Sequence, residues 1–200
     1  MDLLDFGGKK IAFLEVVWNL VGEEEKLDAV IEEVGPEAIY LDIGEEDLLF
    51  LTGNEGDMAS AAPSYADLYY LKKLSRYGEV KQPSPHLLRV IEIARRDGIP
   101  VIAADLDDLA YLEAFYRDVT ARELFVRGLQ LRWMRIRRFN EPDPYHFSLD
   151  WNAALFKTRG YRTLWDERIS HIADRIKGER SPILFVSDPF VGEGVKGLLR

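Results

Sequence analysis

AIYLDIGEED, residues 38–47, is a short apolar run that ends in a carboxylate and an acidic loop containing glycine. Unbroken apolar character over residues 38–41 predicts a strand over 38–43 covered on both faces, as in a parallel sheet. Gly35-Pro36 stands just before it and stops a helix over residues 23–34. That helix carries Leu27, Val30, Ile31 and Val34 at i, i+3, i+4 and i+7, and its first turn holds Glu23, Glu24 and Glu25, which suit the positive end of the helix dipole. Residues 10–17 are strand-like too, with the short apolar run IAFLE, residues 11–15, again ending in an acid. Strand, helix and strand at this spacing make a βαβ unit, with parallel strands and a right-handed crossover.

Further along, Ser64 begins a tyrosine-rich helix over residues 64–77, and the stretch 52–57 reads as a turn or loop. Ser84 caps the next helix, with Pro85 at its first position and Gly98 just past its end. PVIAAD, residues 100–105, is another buried strand ending in an acid. Residues 106–138 look almost wholly helical, divided by the capping box Thr120-x-x-Glu123. Pro142 and Pro144 end that region, residues 145–151 read as an aromatic linker, and Thr163-Leu-Trp-Asp166 opens the last long helix. PILFVSD, residues 182–188, is the final strand. The expected fold is therefore α/β: a largely parallel sheet of about four or more strands with helices on both faces, in a single domain over residues 1–200 carrying a helical excursion over about 106–169.

Composition narrows the function classes. The chain has 200 residues and no cysteine, which excludes disulfides, thiolate metal sites and a cysteine nucleophile. Its start, MDLLDFGGKK, lacks a basic region followed by an apolar run, and no apolar stretch approaches about 18 residues, so a soluble cytoplasmic protein with no membrane contact is expected. A net charge of −9 argues against nucleic acid as a partner. One local exception is LRWMRIRRF, residues 131–139, where arginines interleave with Trp133, Met134, Ile136 and Phe139. That mixture fits phosphate contact and base stacking, but equally a helix whose arginine stems lie over apolar surface.

The order of these elements resembles the TraB family, which includes the PrgY pheromone-shutdown proteins and the Tiki membrane proteases. Its P-D-x-V-x-V-E-L strand is similar to Pro36–Ile43, PEAIYLDI, with Asp42 at the glutamate. Its middle strand, ending L-I-D-R-D, resembles residues 101–107, VIAADLD, which places Asp105 at the middle aspartate. Its late E-R-D helix resembles Glu167-Arg168-Ile169 onward. Both G-x-x-H motifs are missing, since their positions read Glu15-Val16-Val17-Trp18 and Val186-Ser187-Asp188-Pro189. In proteolytic members the histidines and the glutamate are associated with a divalent metal. The resemblance thus implies a divergent member that has lost the histidine metal chemistry and binds a ligand or partner instead.

Parallel strands would bring Glu15, Asp42, Asp105 and Asp188 to one carboxyl edge, where open α/β sheets bind ligands. As a metal site these four oxygen donors would take a divalent cation such as Mg²⁺, Mn²⁺ or Ca²⁺. Asp42, Asp105 and Arg168 are then the catalytic candidates of a carboxylate-based hydrolase, the alternative function. The competing reading makes Asp105 and Asp188 simple N-caps of the helices after them. His171 lies four residues after Glu167, but the pair faces away from the stripe Ile169, Ile172, Ala173 and Ile176, whereas Arg168 flanks that stripe and would reach an anion or Asp42. His86 and His146 have no motif partners. Gly192-Glu-Gly-Val-Lys-Gly197 matches a dinucleotide fingerprint in form only; with no strand after it, a flexible terminal turn is the simpler reading. Tyr65, Tyr69, Tyr70, Tyr77, Trp151, Tyr161 and Trp165 would line an aromatic pocket, a subunit interface or the core. The partners expected are a small ligand or a second copy of the chain.

Overall fold

A strand covered by helices on both sides must be apolar at every position, because neither face of its pleat reaches water. In the computed structural model, which describes residues 1–53, 64–178 and 180–200, β3 (Ala38–Leu41) and β5 (Ile183–Ser187) are buried throughout. They sit at the centre of a five-stranded sheet ordered β1-β2-β5-β3-β4, with β2 (Lys9–Glu15) and β4 (Val101–Ala103) parallel to them. The sequence does not announce β1 (Asp2–Phe6), an exposed edge strand that pairs antiparallel with β2. Gly7 and Gly8, with φ of 61° and 84°, form the two-residue turn between them; two successive positive φ values match the right-handed twist of a tight hairpin.

The pleat sorts side chains by alternation. Ala12, Leu14, Ile39, Leu41, Leu184 and Val186 face α1 (Leu27–Val34) and α4 (Pro85–Asp97). Ile11, Phe13, Tyr40, Ile183 and Phe185 face α8 (Arg159–Ile176) and α9 (Pro189–Leu199). Helices thus cover both faces, as expected for α/β layering. The predicted helix over 23–34 begins as a single 3₁₀ turn at Glu23–Lys26 before α1, and Gly35 ends α1 at φ 54° with its N–H on the Ile31 carbonyl.

A third core forms away from the sheet, where Val17 and Leu20 meet Leu74 of α3 (Tyr65–Leu74), Met134 of α6 (Ala121–Ile136) and Phe147 and Trp151 of α7 (Pro144–Leu155). The aromatic linker expected over 145–151 is thus a helix. Asp143 accepts from the His146 N–H and Pro144 takes the first turn, so what reads as a terminator is a start. Likewise α8 begins at Arg159, not Thr163, whose hydroxyl donates back to the Arg159 carbonyl. The glycines of 192–197 lie inside α9 rather than in a flexible turn. Residues 106–169 are mostly helical, holding α5 (Asp108–Asp118), α6, α7 and the start of α8. Within and around this stretch α5 packs on α8, and α7 on α9. The remaining helix, α2 (Glu45–Thr52), follows β3; the predicted turn over 52–57 falls largely outside the described residues.

Candidate functional site

The helices following β3 and β5 leave on opposite faces of the sheet, which opens a crevice at the carboxyl ends of these two neighbouring strands. A cavity of about 330 Å³ lies there. Asp42, one residue past β3, and Asp188, one residue past β5, stand at its floor. Its walls are aromatic: Trp18 from the loop after β2, Tyr70 from α3, Trp151 from α7, Trp165 from α8 and Phe190 from α9. Trp165 and Phe190 have ring centroids 4.3 Å apart, and Phe156 lies 4.9 Å from Trp165.

The two floor carboxyls differ in how they are held. Asp188 caps α9, its Oδ1 accepting from the Phe190 N–H at 2.8 Å, while its Oδ2 accepts from the Ser148 hydroxyl at 2.7 Å. Asn152 adds a contact at 3.3 Å. Burial still pushes the Asp188 carboxyl up to about 6, against the pull of those donors. Asp42 is only 4% exposed; its Oδ2 accepts from the Asp188 N–H at 2.8 Å, and its Oδ1 has no partner among the described residues. Burial first, then the nearby charges of Asp188 and Asp105, hold its carboxyl well above the ordinary carboxylate range. Its Oδ1 is thus a buried polar atom still open to a partner.

Arg168 reaches the site from α8, as the expected position beside the apolar stripe of that helix implies, but it binds neither Asp42 nor an open anion site. Its guanidinium grips Asp105, with Nε at 3.1 Å from both carboxylate oxygens, and lies 5.7 Å from the Trp165 ring centroid. Burial works against the Arg168 charge, and the Asp105 hydrogen bonds outweigh it and raise its pKa. Asp105 is therefore not the N-cap of α5; Asp107 takes that role through the Ala110 N–H at 2.7 Å. Glu167 pairs with Arg117 on the outer side of α8.

Glu15 leaves the expected set of acids. The alternation that turns Ile11 and Phe13 toward α9 turns Glu15 the same way, onto Lys196 Nζ at 2.7 Å and the Tyr145 hydroxyl at 2.8 Å. Lys196 is 2% exposed and also meets Asp2 and Glu193. Burial pulls its pKa down, but the three carboxylates prevail and raise it. Gly192 makes this approach feasible, since a Cβ there would lie 2.5 Å from Glu15 Oε1. Among the described residues, no group of three or more His, Asp or Glu side chains is placed to hold a metal ion, so Glu15, Asp42, Asp105 and Asp188 do not assemble as a ligand shell.

Several wall residues carry no sequence signal. Asn19, beside Trp18, adopts φ 66°, a left-handed backbone that asparagine tolerates better than most residues. It is pinned there by its N–H on the Ser84 hydroxyl at 2.7 Å and by its carbonyl under the Lys81 N–H at 2.9 Å. Ser84 thus stands at the N-cap position of α4 without capping it, its hydroxyl being shared between Asn19 and His86 Nδ1. His86 is completely buried and burial drives its pKa down to about 3, which keeps it neutral. Of the aromatic candidates, Tyr70, Trp151 and Trp165 line the cavity, whereas Tyr69 and Tyr77 pack on the third core.

A larger cavity, about 640 Å³, runs along edge strand β4 between α2 and α4. Its charged lining, Glu45, Arg95 and Arg175, is exposed, and no polar side chain among the described residues is buried toward it. No protein-family model matches this chain, and no curated protein matches it. Fold and site together define an α/β protein with an aromatic-walled cavity at the carboxyl edge of its sheet. No helix among the described residues is long and apolar enough to cross a membrane.

Proposed function

We propose that this chain is a divergent TraB-like protein that binds a small ligand in the sheet-edge cavity and has given up the histidine-based metal chemistry of that family. One observation carries the reading: Asp42 Oδ1 is buried without a partner among the described residues at the floor of an aromatic-walled cavity, while the carboxylates around it are already satisfied. Asp188 is occupied by backbone and hydroxyl donors and Asp105 by Arg168. Acids engaged in this way support binding more than turnover. A bare cluster facing the cleft would favour a metal-assisted reaction instead. Trp18 and Pro189, which the resemblance puts at the two histidine positions, supply no metal-binding nitrogen.

The cavity is at the small end of the range for ligand sites, about 300–1,000 Å³. Its test is a ligand-observed NMR screen of small fragments against the wild-type protein and Ala66→Phe, a change on α3 that fills the cavity from its rim. Fragments that bind the wild type and not the variant support the reading; a screen with no cavity-dependent binder overturns it. Calorimetric titration with Mg²⁺, Mn²⁺ and Ca²⁺ addresses the carboxylate hydrolase, which requires binding that Asp42→Asn and Asp105→Asn weaken.

A second copy of the chain is the protein partner that the surface favours. Leu109, Leu112 and Tyr116 on α5 and Phe125, Leu129, Trp133 and Ile136 on α6 are all exposed, and α6 turns its apolar stripe outward. Exposed apolar stripes of this kind suit an interface. Asp108 and Glu113 on α5 and Arg132 and Arg135 on α6 carry opposite charges, so a two-fold axis that sets α5 against the partner's α6 would match them.

A further inference from the structure

Aromatic rings and carboxyls around one small space make a particular kind of receptor. Ring faces carry partial negative charge and attract cations, most strongly when water is excluded. The cavity is walled by Trp18, Tyr70, Trp151 and Trp165, and its acidic groups are Asp42 and Asp188 at the floor with Asp67 at the rim. Among the described residues, the only basic side chain in its lining is Arg168, and two of that guanidinium's nitrogens are bound to Asp105, which leaves the Arg168 charge compensated before any ligand arrives. An anion would therefore meet acids and no free cation among those lining residues. A neutral apolar molecule would leave Asp42 Oδ1, nine-tenths buried, still without a partner.

We propose that the cavity is a receptor for a small organic cation, whose amine or ammonium group seats against Asp42 and Asp188 while its apolar part lies among the Trp and Tyr rings. This rests on the ligand-binding reading above and narrows it to one ligand class. Ammonium N–H groups satisfy Asp42 Oδ1, and the positive charge offsets the two floor carboxyls. Asn19 and Asn152 in the lining supply polar contacts for a further substituent.

Binding would also move protons. The charged and titratable groups around the pair are Asp105 after β4, Arg168 on α8, Tyr70 on α3, Asp67 at the start of α3, and Glu15 at the end of β2, itself neutralised by Lys196. A cation seated against Asp42 and Asp188 favours their ionised forms, so the complex holds fewer protons than the free protein and forms more tightly as pH rises toward neutrality.

The test uses three probes of nearly equal shape: phenethylamine as the cation, 2-phenylethanol as its neutral counterpart and phenylacetate as its anion. Trp18, Trp151 and Trp165 line the cavity, so tryptophan fluorescence reports its occupation directly. Phenethylamine is expected to bind on the order of tenfold or more tightly than 2-phenylethanol, with phenylacetate weaker still. Its advantage should shrink in Asp42→Asn, which keeps the shape and the acceptor for the Asp188 N–H but cannot ionise. Calorimetry in buffers of different ionisation enthalpy is expected to register proton release. If 2-phenylethanol or phenylacetate binds as tightly as the amine, or if Asp42→Asn retains the full preference, the cation assignment is overturned while the cavity remains a ligand site. If no probe binds but the fragment screen finds cavity-dependent binders, the assignment again fails alone. No binder in either experiment overturns both.

Discussion

Replacing Asp188 by asparagine should make the protein relatively more stable as pH rises. In the folded chain the Asp188 carboxyl is pushed from its ordinary 3.8 up to about 6, chiefly by burial. A tenfold change in proton affinity corresponds to about 1.4 kcal/mol, so burial on this scale represents roughly 3 kcal/mol. The unfolded chain loses this proton near pH 4 and the folded chain only near pH 6, so between those values the folded state binds more protons. Stability from this group is then fully present below about pH 4 and is lost as pH climbs through 6. Asparagine has no ionisation and keeps the interactions: its carbonyl oxygen accepts from the Phe190 N–H, and the Ser148 hydroxyl turns from donor to acceptor toward the new amide. Urea unfolding of both proteins, followed by tryptophan fluorescence from about pH 4 to about pH 7.5, measures the difference. The stability of Asp188→Asn minus that of wild type should grow by roughly 3 kcal/mol across this range. A constant difference, or one that changes in the opposite direction, would refute the account of the site as a place that disfavours carboxylate charge.

Other consequences are open to the same kind of measurement. Lys196→Met removes the cation buried against Glu15 and should cost about 3–5 kcal/mol in denaturant unfolding, with much of it recovered by Glu15→Gln in the same chain. Arg168→Ala leaves Asp105 uncompensated beside Asp42 and should destabilise on a similar scale of about 3–5 kcal/mol; a cycle with Asp105→Ala should return a coupling well above that of an exposed ion pair. Thr120→Ala breaks the capping box at the start of α6 and should lower stability by about 1 kcal/mol, seen as a fall in thermal midpoint. The proposed pairing predicts a dimer in light scattering, and Leu129→Glu with Ile136→Glu, which places charge on the outward stripe of α6, should then give a monomer without loss of helical circular dichroism.

The parts legible in the sequence are those that local chemistry decides. Short apolar runs within β2, β3, β4 and β5, glycine at the ends of α1 and α4, and the Thr120 box all act through a few neighbouring residues, and the α/β architecture follows from them. β1 escapes notice because an exposed hairpin arm has no buried face to impose a pattern. α7 escapes because Pro144 serves a helix start as readily as a stop, and only the Asp143 cap before it distinguishes the two. In the site, Asp42 and Asp188 are placed by the strands they follow. Their cavity walls come from α3, α7, α8, α9 and the loop after β2, and no local pattern says that these will converge. Glu15 shows the limit most clearly. Its place at a strand end is readable, but the buried Lys196 that claims it lies far along the chain and is delivered by a glycine whose meaning depends on the fold.

The strand order has a consequence for how the chain is made. β5 is the last strand in sequence, yet it lies between β2 and β3 and bonds to both. Until residues 183–187 are synthesised, the two strands of the opening βαβ unit have a gap where their shared neighbour belongs. A nascent chain on the ribosome therefore presents open, apolar strand edges until β5 emerges. Chains truncated before Ile183 should fail to fold and should associate through those edges. Protease resistance should appear in one step, when β5 enters and joins the two halves of the sheet.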